Sequence, residues 1–127
     1  PDTEHYNQID GSGLSASNFF QPRQMTYLLR YMRTDGGGEA GQAFYDSLSR
    51  GGESGWLKNR LKDVATKGNV RAKTGFIGYM RALSGYITGA DGEELVFTMI
   101  CNLHTLSTSE VDAAADKACG LLARYSE

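Results

Sequence analysis

The run Lys73-Thr74-Gly75 combines three residue types that together can hold an extended, anionic ligand. A lysine ammonium supplies positive potential and polarises nearby hydroxyls. A threonine hydroxyl beside it can donate to a carboxylate. A glycine carries no side chain, so a peptide can lie along the strand edge there and pair with the backbone. On its own the tripeptide says little, because a solvated lysine at an exposed strand end reads the same way. Other chemistry-bearing residues are scattered. His5 and His104 have no partner pattern with cysteine or acid residues, so no metal is expected. Cys101 and Cys119 have neither metal-ligand spacing nor a Cys-x-x-Cys arrangement. They read as two buried thiols, with a disulfide as the alternative in an oxidising compartment. No cofactor motif is present.

The elements that must position Lys73 follow from periodicity. The 127 residues suit one domain with a modest core. A formal net charge of −2 gives no reason to expect a nucleic-acid or membrane-surface partner, and no apolar run reaches bilayer length. The chain begins at Pro1 without an initiator Met or a signal-peptide pattern, which bears little on location. The first twenty residues, centred on Asp10-Gly11-Ser12-Gly13-Leu14-Ser15, fit neither period and read as a structured loop in which Asp10 accepts backbone N–H groups. Pro22 suits a first helical turn, and Met25, Leu28, Leu29 and Met32 form one apolar face behind it. Asp35-Gly36-Gly37-Gly38 stops that helix. A second helix is expected from Glu39 to Ser49, burying Ala40, Phe44 and Leu48 and ending at Gly51-Gly52. Trp56, Leu57, Arg60 and Leu61 suggest a further helical turn or two, and Lys67-Gly68-Asn69 a turn.

Strand character then takes over, over 70–76, 82–88 and 94–102, with Arg71 facing solvent. Asp91-Gly92 makes a hairpin of the last two strands. Ser107 and Glu110 have capping-box spacing, and Val111, Ala114, Ala115, Ala118, Leu122 and Tyr125 form a stripe able to lie on the hairpin's buried face. The expected class is α+β: helices, a three-stranded antiparallel meander and a C-terminal helix, with no internal division.

In this setting Lys73-Thr74-Gly75, followed by Ala82-Leu83-Ser84-Gly85-Tyr86-Ile87 and Leu95-Val96-Phe97, resembles the last three sheet strands of the penicillin-binding protein and serine β-lactamase superfamily. Asp10-Gly11-Ser12-Gly13-Leu14-Ser15 with Asn18, and the stretch Gly51-Gly52-Glu53-Ser54-Gly55-Trp56-Leu57-Lys58-Asn59-Arg60, resemble blocks of the class C low-molecular-mass penicillin-binding proteins, the penicillin-binding protein 4 type. The resemblance implies a transpeptidase-like fold of which residues 1–127 are the C-terminal segment. It implies a serine D-Ala-D-Ala carboxypeptidase or endopeptidase acting on peptidoglycan stem peptides and acylated by β-lactams. The setting would be periplasmic or otherwise extracytoplasmic, in a bacterial envelope. By the same resemblance Lys73, Thr74 and Gly75 belong to the catalytic motif, while Leu14, Ala16, Phe76 and Gly78 contact substrate.

The sequence also departs from that pattern. No Ser-x-x-Lys and no Ser-x-Asn run occurs in it. The resemblance therefore implies that the nucleophile, its lysine and the second motif lie before Pro1, and that this chain alone is inactive. Ala16 stands where the family often has an arginine that pairs with an acidic stem-peptide side chain, so a pocket less selective for such a terminus is expected. Phe76 stands where Thr or Ser is common and either lines the cleft or packs inward as core. Trp56 replaces a small hydroxyl residue. A non-catalytic relative that binds muropeptides or a protein partner is a second reading, and a β-lactamase a third. Three strands taken from a larger sheet would leave an edge unpaired, and self-association through the strand containing Lys73 is expected.

Overall fold

The computed structural model describes residues 5–34 and 36–127; Asp35, part of the expected helix stop, lies outside them, as do residues 1–4 of the expected leading loop. The chain order is α1 (Pro22–Arg33), α2 (Gly38–Ser47), β1 (Ser49–Arg50), a 3₁₀ turn (Gly55–Leu57), β2 (Arg71–Ile77), β3 (Met80–Thr88), β4 (Glu94–Cys101) and α3 (Thr108–Leu122). The strands form a four-stranded antiparallel sheet in the order β1-β2-β3-β4. The architecture is α+β.

Helix α1 starts at Pro22 as its missing N–H allows, and the N–H of Gln21 donates to Gln24 Oε1 at 2.8 Å. Its last turn carries Arg30 and Arg33, the sign a helix C-terminus favours. Of its expected apolar face Leu29 is buried, Met25 and Met32 are half-buried, and Leu28 is exposed. Helix α2 packs so closely on α1 that a Cβ at Gly41 would lie 1.9 Å from the Met32 carbonyl oxygen. That close approach turns Gly41 inward and leaves Ala40 exposed, contrary to the periodicity.

The largest departure from the expected meander is β1. Leu48 leaves the helix with extended dihedrals (φ −70°, ψ 145°), and Ser49 and Arg50 then pair with Ala72 and Arg71. Two residues expected at the end of a helix thus become a fourth strand. Strand β3 also starts earlier than the expected 82–88. Ile77 pairs with Met80 across Gly78 and Tyr79, and Gly78 has φ +51°, a conformation glycine adopts without steric cost.

Alternation gives the sheet two faces. On one lie Ala72, Leu83, Ile87 and Phe97, packed with Leu57, Leu61, Val70, Cys119 and Ala123 into the main core under α3. On the other lies Tyr86, packed with Leu29 and Leu48 under α1 and α2. Helix α3 begins as its sequence dictates: the Ser107 hydroxyl accepts from the N–H of Glu110, and the Glu110 carboxylate accepts from the N–H of Ser107. Its stripe is only partly covered, with Val111 buried, Ala115, Ala118 and Leu122 half-buried, Ala114 exposed, and Tyr125 beyond the helix. Both cysteines are free; Cys119 is buried, while Cys101 is only half-buried. Burial pushes the Cys119 thiol up to about 12, with nearby Asp116 adding to the rise.

Candidate functional site

Strand β2 carries Lys73, Thr74 and Gly75 along an edge of the sheet. Its neighbour β1 covers only Arg71 and Ala72, so from Lys73 to Ile77 that side of β2 has no strand partner among the described residues. The Val70 carbonyl accepts from the N–H of Gly51 at 2.9 Å, which fixes which backbone groups face this side. Counting on by twos, the N–H and C=O groups of Thr74 and Phe76 point to the open edge. The Thr74 carbonyl is met there by the Lys73 ammonium, whose Nζ donates to it at 2.7 Å. Among the described residues Lys73 has no carboxylate partner, and its exposed charge is available to an anion.

The strand period sends neighbouring side chains to opposite faces. Lys73 and Gly75 lie on the face shared with α1 and α2, Thr74 and Phe76 on the face shared with α3. Lys73 stands opposite Ser84, which stands opposite Thr98, so three polar side chains form one row across the sheet. The Thr98 hydroxyl at the end of the row is buried without a hydrogen-bond partner among the described residues. Gly75 lies opposite Ala82, and a Cβ there would come within 3.1 Å of the Ala82 Cβ.

Phe76 does not pack inward: it is 61% exposed. Its ring is held instead by its cross-strand partner Arg81, whose guanidinium carbon lies 4.9 Å from the ring centroid. Arg81 in turn makes a two-point ion pair with Asp112 of α3, and Asp112 also pairs with Arg60 at 3.0 Å. Sequence reasoning missed this network. Its one trace in the sequence was Asp112 and Asp116, four residues apart and so on one helix face. Arg71, expected to face solvent, lies over the Tyr45 ring at 4.7 Å and reaches Asp46 at 3.6 Å.

The loop before α1 is organised by Asp10. Its carboxylate accepts from the Ser12 hydroxyl, the N–H of Gly13 and the side-chain amide of Asn18 at 2.8–3.1 Å. Those bonds, led by the one from Asn18, hold the carboxyl below its ordinary value. Asn18 closes the loop by accepting from the N–H of Ile9 at 2.8 Å. Leu14 and Ala16 are solvent-facing on this loop. No hydrogen bond, ion pair or cavity among the described residues joins them to β2. A cavity of about 350 Å³ lies between the loop and α1, lined in part by Asp10, Asn18, Phe20 and Met25. Gly78 sits in the β2–β3 turn, and Trp56, in the 3₁₀ turn, is 80% exposed. Among the described residues no group of three or more His, Cys, Asp or Glu could hold a metal ion, and no helix is long and apolar enough to cross a membrane.

Comparison with known proteins converges on one family. The model of the D-Ala-D-Ala carboxypeptidase 3 (S13) family matches residues 2–125. A D-alanyl-D-alanine carboxypeptidase of Actinomadura sp. is 39% identical over 106 residues, which is 76% of this chain and 18% of that protein. Penicillin binding protein 4 of Haemophilus influenzae superposes with a TM-score of 0.80 at 25% identity, over 94% of this chain and 28% of the other. The same protein in complex with a β-lactam gives 0.79 at 26% identity, over 95% and 30%. The chain thus has the fold of part of a penicillin-binding protein and spans less than a third of the length of each of these relatives.

Proposed function

The chain belongs to the D-Ala-D-Ala carboxypeptidase 3 (S13) family, and from that premise we propose that it is the substrate-holding, C-terminal segment of a serine-type D-Ala-D-Ala carboxypeptidase or endopeptidase acting on peptidoglycan stem peptides. The observation that carries this reading is the open Lys73–Ile77 edge beside an ammonium with no carboxylate partner among the described residues. A stem peptide ending in D-Ala-D-Ala is extended and terminates in a carboxylate. Laid along the edge, its backbone pairs with the edge-facing groups of Thr74 and Phe76, the Thr74 carbonyl being shared with the Lys73 ammonium, and Lys73 supplies the positive potential its terminus needs. Thr74 contributes at the edge through its backbone carbonyl and N–H, and its hydroxyl reaches the ligand from the opposite face.

In this reading the acylating serine comes from chain beyond these residues, since no Ser-x-x-Lys occurs in them. The serine attacks the D-Ala-D-Ala amide carbonyl, D-Ala leaves with the transferred proton, and water releases the acyl group. β-Lactams enter the same site as mimics of D-Ala-D-Ala. The site of action is the extracytoplasmic side of a bacterial envelope, where that substrate lies. Leu14, Ala16, Phe76 and Gly78 are assigned to substrate contact, with Ala16 leaving a pocket less selective for an acidic side-chain terminus. The open edge also supports pairing between isolated copies of this chain through β2.

Labelling with a fluorescent penicillin tests the reading. The full protein carrying this chain should form a covalent adduct and the 127-residue chain alone should not. Lys73→Ala in the full protein should slow acylation by about a hundredfold, as loss of a preorganised electrostatic contact does. A second reading is a non-catalytic muropeptide- or protein-binding relative of the same fold. Failure of the full protein to label would sink the enzyme reading in its favour.

A further inference from the structure

Behind Phe76 an exposed ring is tied to a part-buried ion-pair network. Phe76 is 61% exposed, yet its ring lies against Arg81, whose side chain retains only 16% of its accessible surface. A free arginine side chain has many rotamers and would hold a ring loosely. Here both ends of the guanidinium fork are engaged by Asp112, and no other carboxylate among the described residues reaches Arg81. Asp112 is itself fixed by Arg60, which donates to both its side chain and its backbone carbonyl. Asp116, one turn further along α3, engages Arg60 but not Arg81. The chain of contacts runs from α3 through β3 to the residue directly after Gly75, and it ends in a ring beside the open edge.

We infer that Asp112 is a positioning residue for the substrate edge: acting through Arg81, it holds the Phe76 ring as a preformed aromatic wall beside the backbone groups of Thr74 and Phe76. The inference rests on the peptide-binding reading and deepens it. A wall fixed in advance spares a bound peptide the cost of ordering that side chain. The wall favours a peptide that presents an apolar or planar group on the α3 side of the sheet, the face opposite Lys73.

The test is nuclear magnetic resonance on the full protein carrying this chain, its acylating serine changed to alanine so that an N-acylated tripeptide ending in D-Ala-D-Ala serves as an uncleaved probe. In the unliganded protein the Arg81 side-chain methylenes should show the upfield ring-current shift of a group over an aromatic face. Asp112→Asn should abolish that shift and raise the peptide dissociation constant about fivefold, the scale of a lost cation–π contact. Asp112→Glu should recover part of both. Asp116→Asn, which weakens the tie between α3 and Arg60 alone, should lower Tm while leaving ring-current shift and affinity unchanged. Equal effects of Asp112→Asn and Asp116→Asn would overturn the inference, as would a ring-current shift that survives Asp112→Asn. If Asp112→Asn does not fold, Phe76→Leu on the exposed surface replaces it, and unchanged affinity in that variant overturns the inference. Absence of peptide binding in the protein with no change beyond the serine counts against the substrate reading instead, and the ring-current comparison then decides the role of Asp112.

Discussion

The two faces of the sheet are finished to different degrees. The α3 face is closed by aliphatic packing: Leu57, Val70, Leu83 and Ile87 retain 0–2% of their accessible surface. Among the described residues the buried cluster of the α1 face is only Leu29, Leu48 and Tyr86, and Tyr27, Leu28 and Tyr31 on the covering helix stay 47–58% exposed. The directional contacts of this face centre on the Tyr45 and Tyr86 rings. Arg33 and Arg71 lie over the Tyr45 ring at 4.3 and 4.7 Å, Arg33 reaches Glu94, and the Tyr86 hydroxyl donates to the Leu29 carbonyl at 2.7 Å. The α3 face thus combines extensive aliphatic burial with the Arg81–Asp112–Arg60 network near its rim, while the α1 face buries less and relies more on directional contacts around aromatic rings. The candidate site lies on the rim between them, where Lys73 faces one way and Phe76 the other.

The sharpest way to break this contrast is a matched pair of truncations. Leu57→Ala on the α3 side should cost about 2–5 kcal/mol, while Leu28→Ala on the exposed side of α1 should stay within about 0.5 kcal/mol. Denaturant midpoints read both, and comparable losses would mean that the faces are equally built. Tyr86→Phe probes the directional contacts: it removes the bond to Leu29 and should cost about 1 kcal/mol, well below the core truncation.

The smallest effect at neutral pH comes from titration. Burial raises the Cys119 thiol from 9.0 and the Tyr86 phenol from 10.0, each to about 12, so the folded chain holds both neutral while the unfolded chain ionises them first. Their contribution is fully present below the unfolded values and is lost as pH rises through the folded ones. Denaturant midpoints should therefore be flat near neutrality and fall between about pH 9 and 12. At neutral pH, alkylation should reach the half-buried Cys101 and spare Cys119 until the chain unfolds. A midpoint that rises in that alkaline window, or early labelling of Cys119, would show that the two faces are less sealed than their packing indicates.

Much of this architecture was legible in the residues. Pro22 marks the start of α1, Ser107 with Glu110 the start of α3, and the strand runs give β2 and β4 within a residue of their ends. Strand β1 was not legible. Ser49 and Arg50 follow an apolar period of Phe44 and Leu48, and only pairing with Arg71 and Ala72 makes them a strand. The register of the β2–β3 hairpin was hidden for a related reason. Met80 and Arg81 carry no strand signal of their own, so the Phe76–Arg81 pair appears only once the Gly78-Tyr79 turn is known to be so short. That Lys73 and Thr74 diverge follows from the strand period alone, but which edge is open depends on where β1 stops.

The abrupt end of β1 also sets a length. From Lys73 to Ile77 the open edge measures about 17 Å at the usual strand rise, room for about five extended residues. Ser49, paired with Ala72, stands across one end like the stop on a carpenter's bench, and the Gly78-Tyr79 turn marks the other. A chain lying there cannot slide past Ser49 without leaving the sheet or turning away. A peptide bound there as proposed would meet the edge as a gauge, which would hold a short segment in one register and reject the interior of a long strand.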